Sequence, residues 1–113
     1  MKYGILFILL WSSFNAYSTL YCSGKVDDIY IDASGDVVIK GAWRNNWTKI
    51  CNLKNADVVT CSMWTSLLTN AVKDNLKVNV SYTDGAGSCS GLATYGATPT
   101  PRYVMMYNPA IHP

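Results

Sequence analysis

Hydrophobic spacing takes a helical period in one stretch of this chain, and that stretch locates its main helix. Trp64, Leu67, Leu68, Ala71 and Val72 recur at i, i+3, i+4, i+7 and i+8, which places them on one face of a helix. Ser62 stands where an N-cap is wanted, because its hydroxyl can accept a free amide of the first turn. Asn75 tolerates the left-handed conformation that ends helices. Leu76, Val78, Val80 and Tyr82 then alternate with Lys77, Asn79 and Ser81, so the helix runs into a strand with one buried face.

Upstream, the spacing is that of strands. From Gly24 to Ile31, Ile29 and Ile31 share one phase while Val26 belongs to the other, and a bulge at Asp27-Asp28 reconciles them. Ala33-Ser34-Gly35-Asp36 reads as a turn. Val37, Ile39 and Trp43 then alternate with Val38, Lys40 and Ala42, which makes a hairpin partner for the first strand. Arg44-Asn45-Asn46 breaks the pattern, and Trp47 to Leu53 forms a third strand. Beyond Tyr82, a Gly-rich loop and a turn-rich stretch from Gly91 to Pro101 precede a last strand from Arg102 to Tyr107. The order β-β-β-α-β-β predicts a mainly β fold with one helix, a small five-stranded OB-like Greek-key barrel.

The first residues read differently. Lys2, the apolar run from Tyr3 to Trp11 and the small residues of Ala16-Tyr17-Ser18 form the pattern of a secretory signal peptide over residues 1–18. The run is too short for an unaided membrane anchor. That leaves 19–113 as a single domain of a secreted or periplasmic protein, with no membrane insertion. The formal net charge of +2 includes Lys2, so the remainder is nearly neutral, which argues against nucleic acid as a partner.

Cys22, Cys51, Cys61 and Cys89 all lie beyond the signal segment, and an even count in a small exported chain reads as two disulfides with three possible pairings. The element order favours Cys51 with Cys61, tying the third strand to the helix, and Cys22 with Cys89, tying the chain start to the loop after Tyr82. In the chain-entropy picture these closures contribute about 3 and 4 kcal/mol. Metal binding lacks both the paired spacing and the histidines it needs, and no cofactor motif is present. Gly85-Ala86-Gly87-Ser88-Cys89-Ser90-Gly91 does not fit a dinucleotide or phosphate loop.

Catalysis has little to draw on. The one histidine, His112, is the penultimate residue, and no nucleophile-base-acid set can be assembled without it. Asp27, Asp28, Asp32 and Asp36 do not match a calcium loop and read as a solvated hairpin edge. Asn46-Trp47-Thr48 and Asn79-Val80-Ser81 are N-glycosylation sequons. What remains is binding, because the chain is rich in Tyr and Trp, whose apolar rings with polar tips suit sugars and nucleobases. Trp43 and Trp64 suit the core better, while Tyr82 at a strand end suits core and ligand equally.

Cys51, Thr60-Cys61-Ser62-Met63 with the Trp- and Leu-containing helix, Val78 to Gly85, and Tyr21-Cys22-Ser23-Gly24-Lys25-Val26 together resemble the receptor-binding B subunits of subtilase cytotoxin and the related typhoid toxin. The resemblance covers about residues 21–85. It implies an exported OB-fold subunit of a bacterial toxin, assembled as a homopentamer with a separate A subunit, that binds sialylated cell-surface glycans and is not an enzyme. Carried onto this chain, it implies Ser23 as a hydroxyl partner of the glycan and Tyr82 as a ring against it. Cys22, Cys89 and the segment after Gly91 have no counterpart in that family. The alternative is a stand-alone structural or inhibitor-like module that works by protein contacts.

Overall fold

The longest strand, β1 (Leu20–Ile31), organises the sheet because a bulge between Val26 and Asp28 divides it into two halves with different partners. The computed structural model describes residues 19–55, 57–83 and 85–113, so the expected signal segment lies outside the described residues. Before the bulge, Cys22 and Val26 face the core. The extra residue at Asp27 reverses the alternation, so Ile29 packs against the core instead. The phase conflict between Val26 and Ile29 is thereby resolved as expected. The strand begins four residues earlier than Gly24, because Leu20 to Gly24 pair with the strand that follows the helix.

The second half of β1 pairs antiparallel with β2 (Asp36–Gly41), and β2 pairs with β3 (Thr48–Asn52). Their connecting turn is built on Asp32. Its Oδ1 accepts from the Ser34 hydroxyl at 2.6 Å and from the amides of Ser34 and Asp36, both at 3.0 Å. Gly35 takes the left-handed φ of 92° that the turn requires. β2 stops at Gly41, short of the expected Trp43, because the Trp43 indole folds back over Gly41 and occupies the space a Cβ there would need.

Helix α1 (Val58–Asp74) begins upstream of Ser62, which is therefore an exposed residue inside the helix and not its cap. Asp57 holds the N-cap position without a side-chain hydrogen bond. Val58, Val59 and Thr60 are poor helix formers. The disulfide Cys51–Cys61 fastens this turn to β3, and the Cys61 amide donates to the Asp57 carbonyl at 3.0 Å. At the other end Asn75 is left-handed at φ 57°. Leu68 and Ala71 are buried, and Trp64, Leu67 and Val72 pack half-buried against the same cluster, so the helix presents the face its spacing predicts.

β4 (Lys77–Tyr82) lies between β1 and β5 (Tyr103–Met106), giving one antiparallel sheet in the order β3-β2-β1-β4-β5. Val78, Val80 and Tyr82 face the core. The opposite face departs from expectation, since Asn79 and Ser81 are also buried. Their ladder neighbours are Ser23 and Met105 beside Asn79, and Tyr21 and Tyr103 beside Ser81. Each short polar side chain thus has at least one larger ladder neighbour. A second disulfide, Cys22–Cys89, pins the loop after β4 to β1. The two bonds join the cysteines that the element order pairs.

Candidate functional site

Ser23 and Tyr82 do not form one site. Ser23 is opposite Asn79 and Tyr82 is opposite Leu20, so they occupy opposite phases of the β1–β4 ladder and project from opposite faces of the sheet. Ser23 is exposed, with its hydroxyl 3.5 Å from that of Tyr107. Tyr82 is fully buried, its hydroxyl has no hydrogen-bond partner, and burial pushes its pKa up to about 12 against a smaller opposing effect of Arg44. A ring with no exposed surface cannot wall a glycan. The role implied by resemblance is corrected on this point: Tyr82 is the largest fully buried side chain of the core.

A different set of residues converges around β3. Arg44, only 7% exposed, donates through Nε to the Thr48 hydroxyl at 2.9 Å. Its terminal nitrogens donate to the carbonyl of Leu92, to that of Trp47 at 3.0 Å and to that of Ala93 at 3.3 Å. Burial pushes its pKa down. Carbonyl dipoles solvate the charge, and they join the turn before β3 to the loop before β5. That loop is further fixed by Thr98, which accepts from the Lys49 amide at 3.2 Å and whose one hydroxyl proton faces the carbonyls of Ala93 and Tyr95, each 2.8 Å away.

Three aromatic residues lie together on the surface so fixed, two of them in ring contact. Tyr30 from β1 and Trp47 pack edge to face, with centroids 4.9 Å apart and planes at 72°. The Tyr95 amide donates to the Trp47 carbonyl at 3.4 Å, and Tyr95 forms a parallel bridge with Thr48. Tyr95 is 50% exposed and holds a left-handed φ of 52°, a region that bulky residues avoid. Partial desolvation, then the Tyr95 phenol and the Asp32 and Asp36 carboxylates, raise the pKa of Tyr30.

Beside this surface, between β3, the start of α1 and the residues entering β5, lies an open cleft of about 390 Å³. Lys49, Asn52, Asn55, Thr60, Trp64 and Arg102 line it, with the Cys51–Cys61 disulfide between strand and helix. Lys49 and Arg102 are cations, and Asp57 is the acid at the same cleft. Arg102 is held by its amide, which donates to the Ser81 carbonyl at 2.6 Å, and its Nη1 donates to the Thr19 hydroxyl at 3.5 Å. Lys49 belongs to both surfaces, since its Nζ lies 3.5 Å from the Gly96 carbonyl next to Tyr95. Chemically the cleft offers a half-buried indole, two positive charges and the amide and hydroxyl groups of Asn55 and Thr60.

Sequence reasoning had the abundance of aromatics but not their convergence. Tyr95 sits in a stretch without periodicity, and no motif announces that Arg44 ties it to Trp47. Of the two sequons, Asn46 is exposed in its turn, whereas Asn79 is 6% exposed on β4. Among the described residues, no three His, Cys, Asp or Glu side chains are placed to hold a metal ion. Comparison of the chain with protein-family models, with curated proteins and with solved structures finds no match in any of the three.

Proposed function

We propose that this chain is an exported, non-catalytic binding protein that recognises an acidic cell-surface glycan in the cleft between β3 and α1. The observation that carries the reading is the pairing of Lys49 and Arg102 with the Trp64 indole in one open cleft. A carboxylated sugar presents these same three needs: a charge to neutralise, a C–H face to lie on an aromatic ring, and hydroxyls to hydrogen-bond. Asp57 at the same cleft leaves room for one negative charge and opposes a polyanion. The reading keeps the ligand class implied by resemblance to toxin B subunits and moves the site from Ser23 and Tyr82 to the cleft.

The architecture fits the same reading in its finer form, an OB-type Greek-key barrel. A bulged first strand shared between two neighbours supports it, as does the parallel bridge from Thr48 to Tyr95, which joins edge strand β3 to the loop before β5. The two disulfides suit an oxidising compartment. A glycan array probed with the oxidised protein tests the proposal. Retention on sialylated glycans that is lost in Arg102→Ala supports it, and equal retention of wild type and variant removes the cleft as the site.

One observation favours a second reading, assembly through protein contacts. Asn79 Oδ1 and Ser81 Oγ are buried without partners on the outer face of β1, β4 and β5, beneath Tyr21 and Met105, which are 55% and 40% exposed. Such a face suits another copy of the chain, as in a ring of five, or a separate A subunit. Light scattering decides the first of these, since a monomer at all concentrations excludes the ring.

A further inference from the structure

We infer that the Tyr30–Trp47–Tyr95 surface is a second subsite, which stacks a neutral pyranose ring next to the acidic-sugar cleft. The inference rests on the glycan reading above and extends it from one sugar residue to an oligosaccharide. Its first support is convergence: Tyr30 of β1 packs edge to face on Trp47 in the turn before β3, and Arg44 and Thr98 bind that turn and β3 to the loop that carries Tyr95. Core packing does not explain the set. Tyr30 stands opposite Val38, its ladder partner, which is 2% exposed, but Tyr95 leaves half its own surface open.

The second support is the backbone of Tyr95. A left-handed φ is avoided by bulky residues, yet here it is enforced by hydrogen bonds on both sides of the residue. The effect is to hold a phenol at the surface beside Trp47. Gly96 follows it with open space around its α-carbon, so nothing obstructs approach from that side.

Charge differs along the surface: at the Tyr30 end Asp32 and Asp36 form the turn that follows β1, and their carboxylates make that end unfavourable for a phosphate or a carboxylate. A neutral sugar has no such conflict: its C–H face lies on the rings while its hydroxyls reach the phenol tips. Lys49 stands between the two surfaces, with its ammonium at the Gly96 carbonyl and its side chain lining the cleft. An acidic residue in the cleft and a neutral one on the rings are thereby adjacent units of one chain of sugars.

The test is a titration of the oxidised protein, followed by amide and indole NMR signals, with lactose as the neutral probe and 3′-sialyllactose as the acidic one. Lactose is expected to shift the signals of Trp47 and Gly96. Tyr95→Asn removes the ring but suits the left-handed backbone, so it is expected to keep the melting temperature and weaken lactose roughly fivefold or more. Arg102→Ala is expected to weaken 3′-sialyllactose and leave lactose unchanged. A wild-type protein that ignores lactose, lactose shifts confined to other residues, or a Tyr95→Asn protein that binds lactose as tightly as wild type overturns the inference. So does an oligothymidylate that displaces lactose from the rings. If 3′-sialyllactose still binds through Arg102 in any of these cases, the ring subsite alone falls; if neither sugar binds, the glycan reading falls with it.

Discussion

Arg44 donates from Nε to the hydroxyl of Thr48 at 2.9 Å, and the same guanidinium reaches three backbone carbonyls across two segments. A planar group with donors on several sides can satisfy such a set at once, and an ammonium cannot. Arg44→Lys is therefore expected to lower stability by about 2–4 kcal/mol, mostly from buried carbonyls left without donors. Chemical denaturation measures the loss. Because Trp47 and Leu92–Ala93 are the segments it joins, amide exchange around Tyr95 should accelerate more than exchange in β4. A neutral result would show that solvent already reaches those carbonyls.

Tyr82 gives a prediction of opposite sign for two substitutions at one position. Its ring is the largest fully buried side chain, and its hydroxyl is buried without a partner. Tyr82→Ala is expected to cost about 3–5 kcal/mol through the cavity it leaves. Tyr82→Phe is expected to be neutral or to stabilise by about 1 kcal/mol, since it deletes an unsatisfied polar group and keeps the packing. Urea melts of the two variants check both signs. The glycan binding proposed for the β3–α1 cleft should be unchanged in Tyr82→Phe.

The same hydroxyl makes the fold sensitive to alkali. Its pKa rises from 10.0 unfolded to about 12 folded, because burial disfavours the phenolate. The protonated form is thus favoured in the native state. The contribution, on the order of 2–3 kcal/mol, is fully present below pH 10 and is lost as pH rises through about 12. Stability against pH in this window should fall for wild type and flatten for Tyr82→Phe. Parallel curves would place the alkaline transition elsewhere.

At the acid end the sign reverses. The Ser34 hydroxyl, then the amides of Asp36, Ser34 and Gly35, hold the Asp32 carboxyl below its ordinary value of 3.8. Its stabilisation of the β1–β2 turn is complete above that ordinary value and is lost as pH falls through the lower folded one. Asp32→Ala should shorten the protection of the hairpin amides at pH 7. At a pH below both values the variant and wild type should differ little, which NMR exchange rates can read directly.

The Cys51–Cys61 bond links stability to the cleft, because both residues line it and the bond joins β3 to the first turn of α1. Replacing both by serine is expected to cost about 3 kcal/mol. Val58 to Thr60 should fray first, since their propensity alone does not hold them in a helix. Circular dichroism reports the helix loss, and acidic-glycan binding should weaken with it while the β1–β4 amides stay protected.

Much of this fold is legible from side-chain period. The helical face from Trp64 to Val72, the strand from Val78 to Tyr82 and the bulge at Asp27 follow from where apolar residues fall, because burial on one side is what those residues report. The start of α1 is not legible, since a disulfide rather than a capping side chain holds it. The burial of Asn79 and Ser81 is likewise hidden, because it depends on which larger residues the ladder sets beside them. The candidate site was least legible of all. Tyr30, Trp47 and Tyr95, and Lys49 with Arg102, are distant in sequence and brought together by Arg44 and the β3 contacts. A resemblance of short motifs, which no comparison with known proteins supports, instead singled out Tyr82, whose phase in β4 commits it to the interior.

The central claim is that Lys49 and Arg102 bind the acid of a glycan whose ring rests on Trp64. Calorimetric titration of 3′-sialyllactose into wild type and Arg102→Gln tests it most directly. The account predicts binding that weakens as salt rises and a loss of about tenfold or more in the variant, the scale of one charge-assisted hydrogen bond. Equal affinity of the two proteins, or binding indifferent to salt, would contradict it.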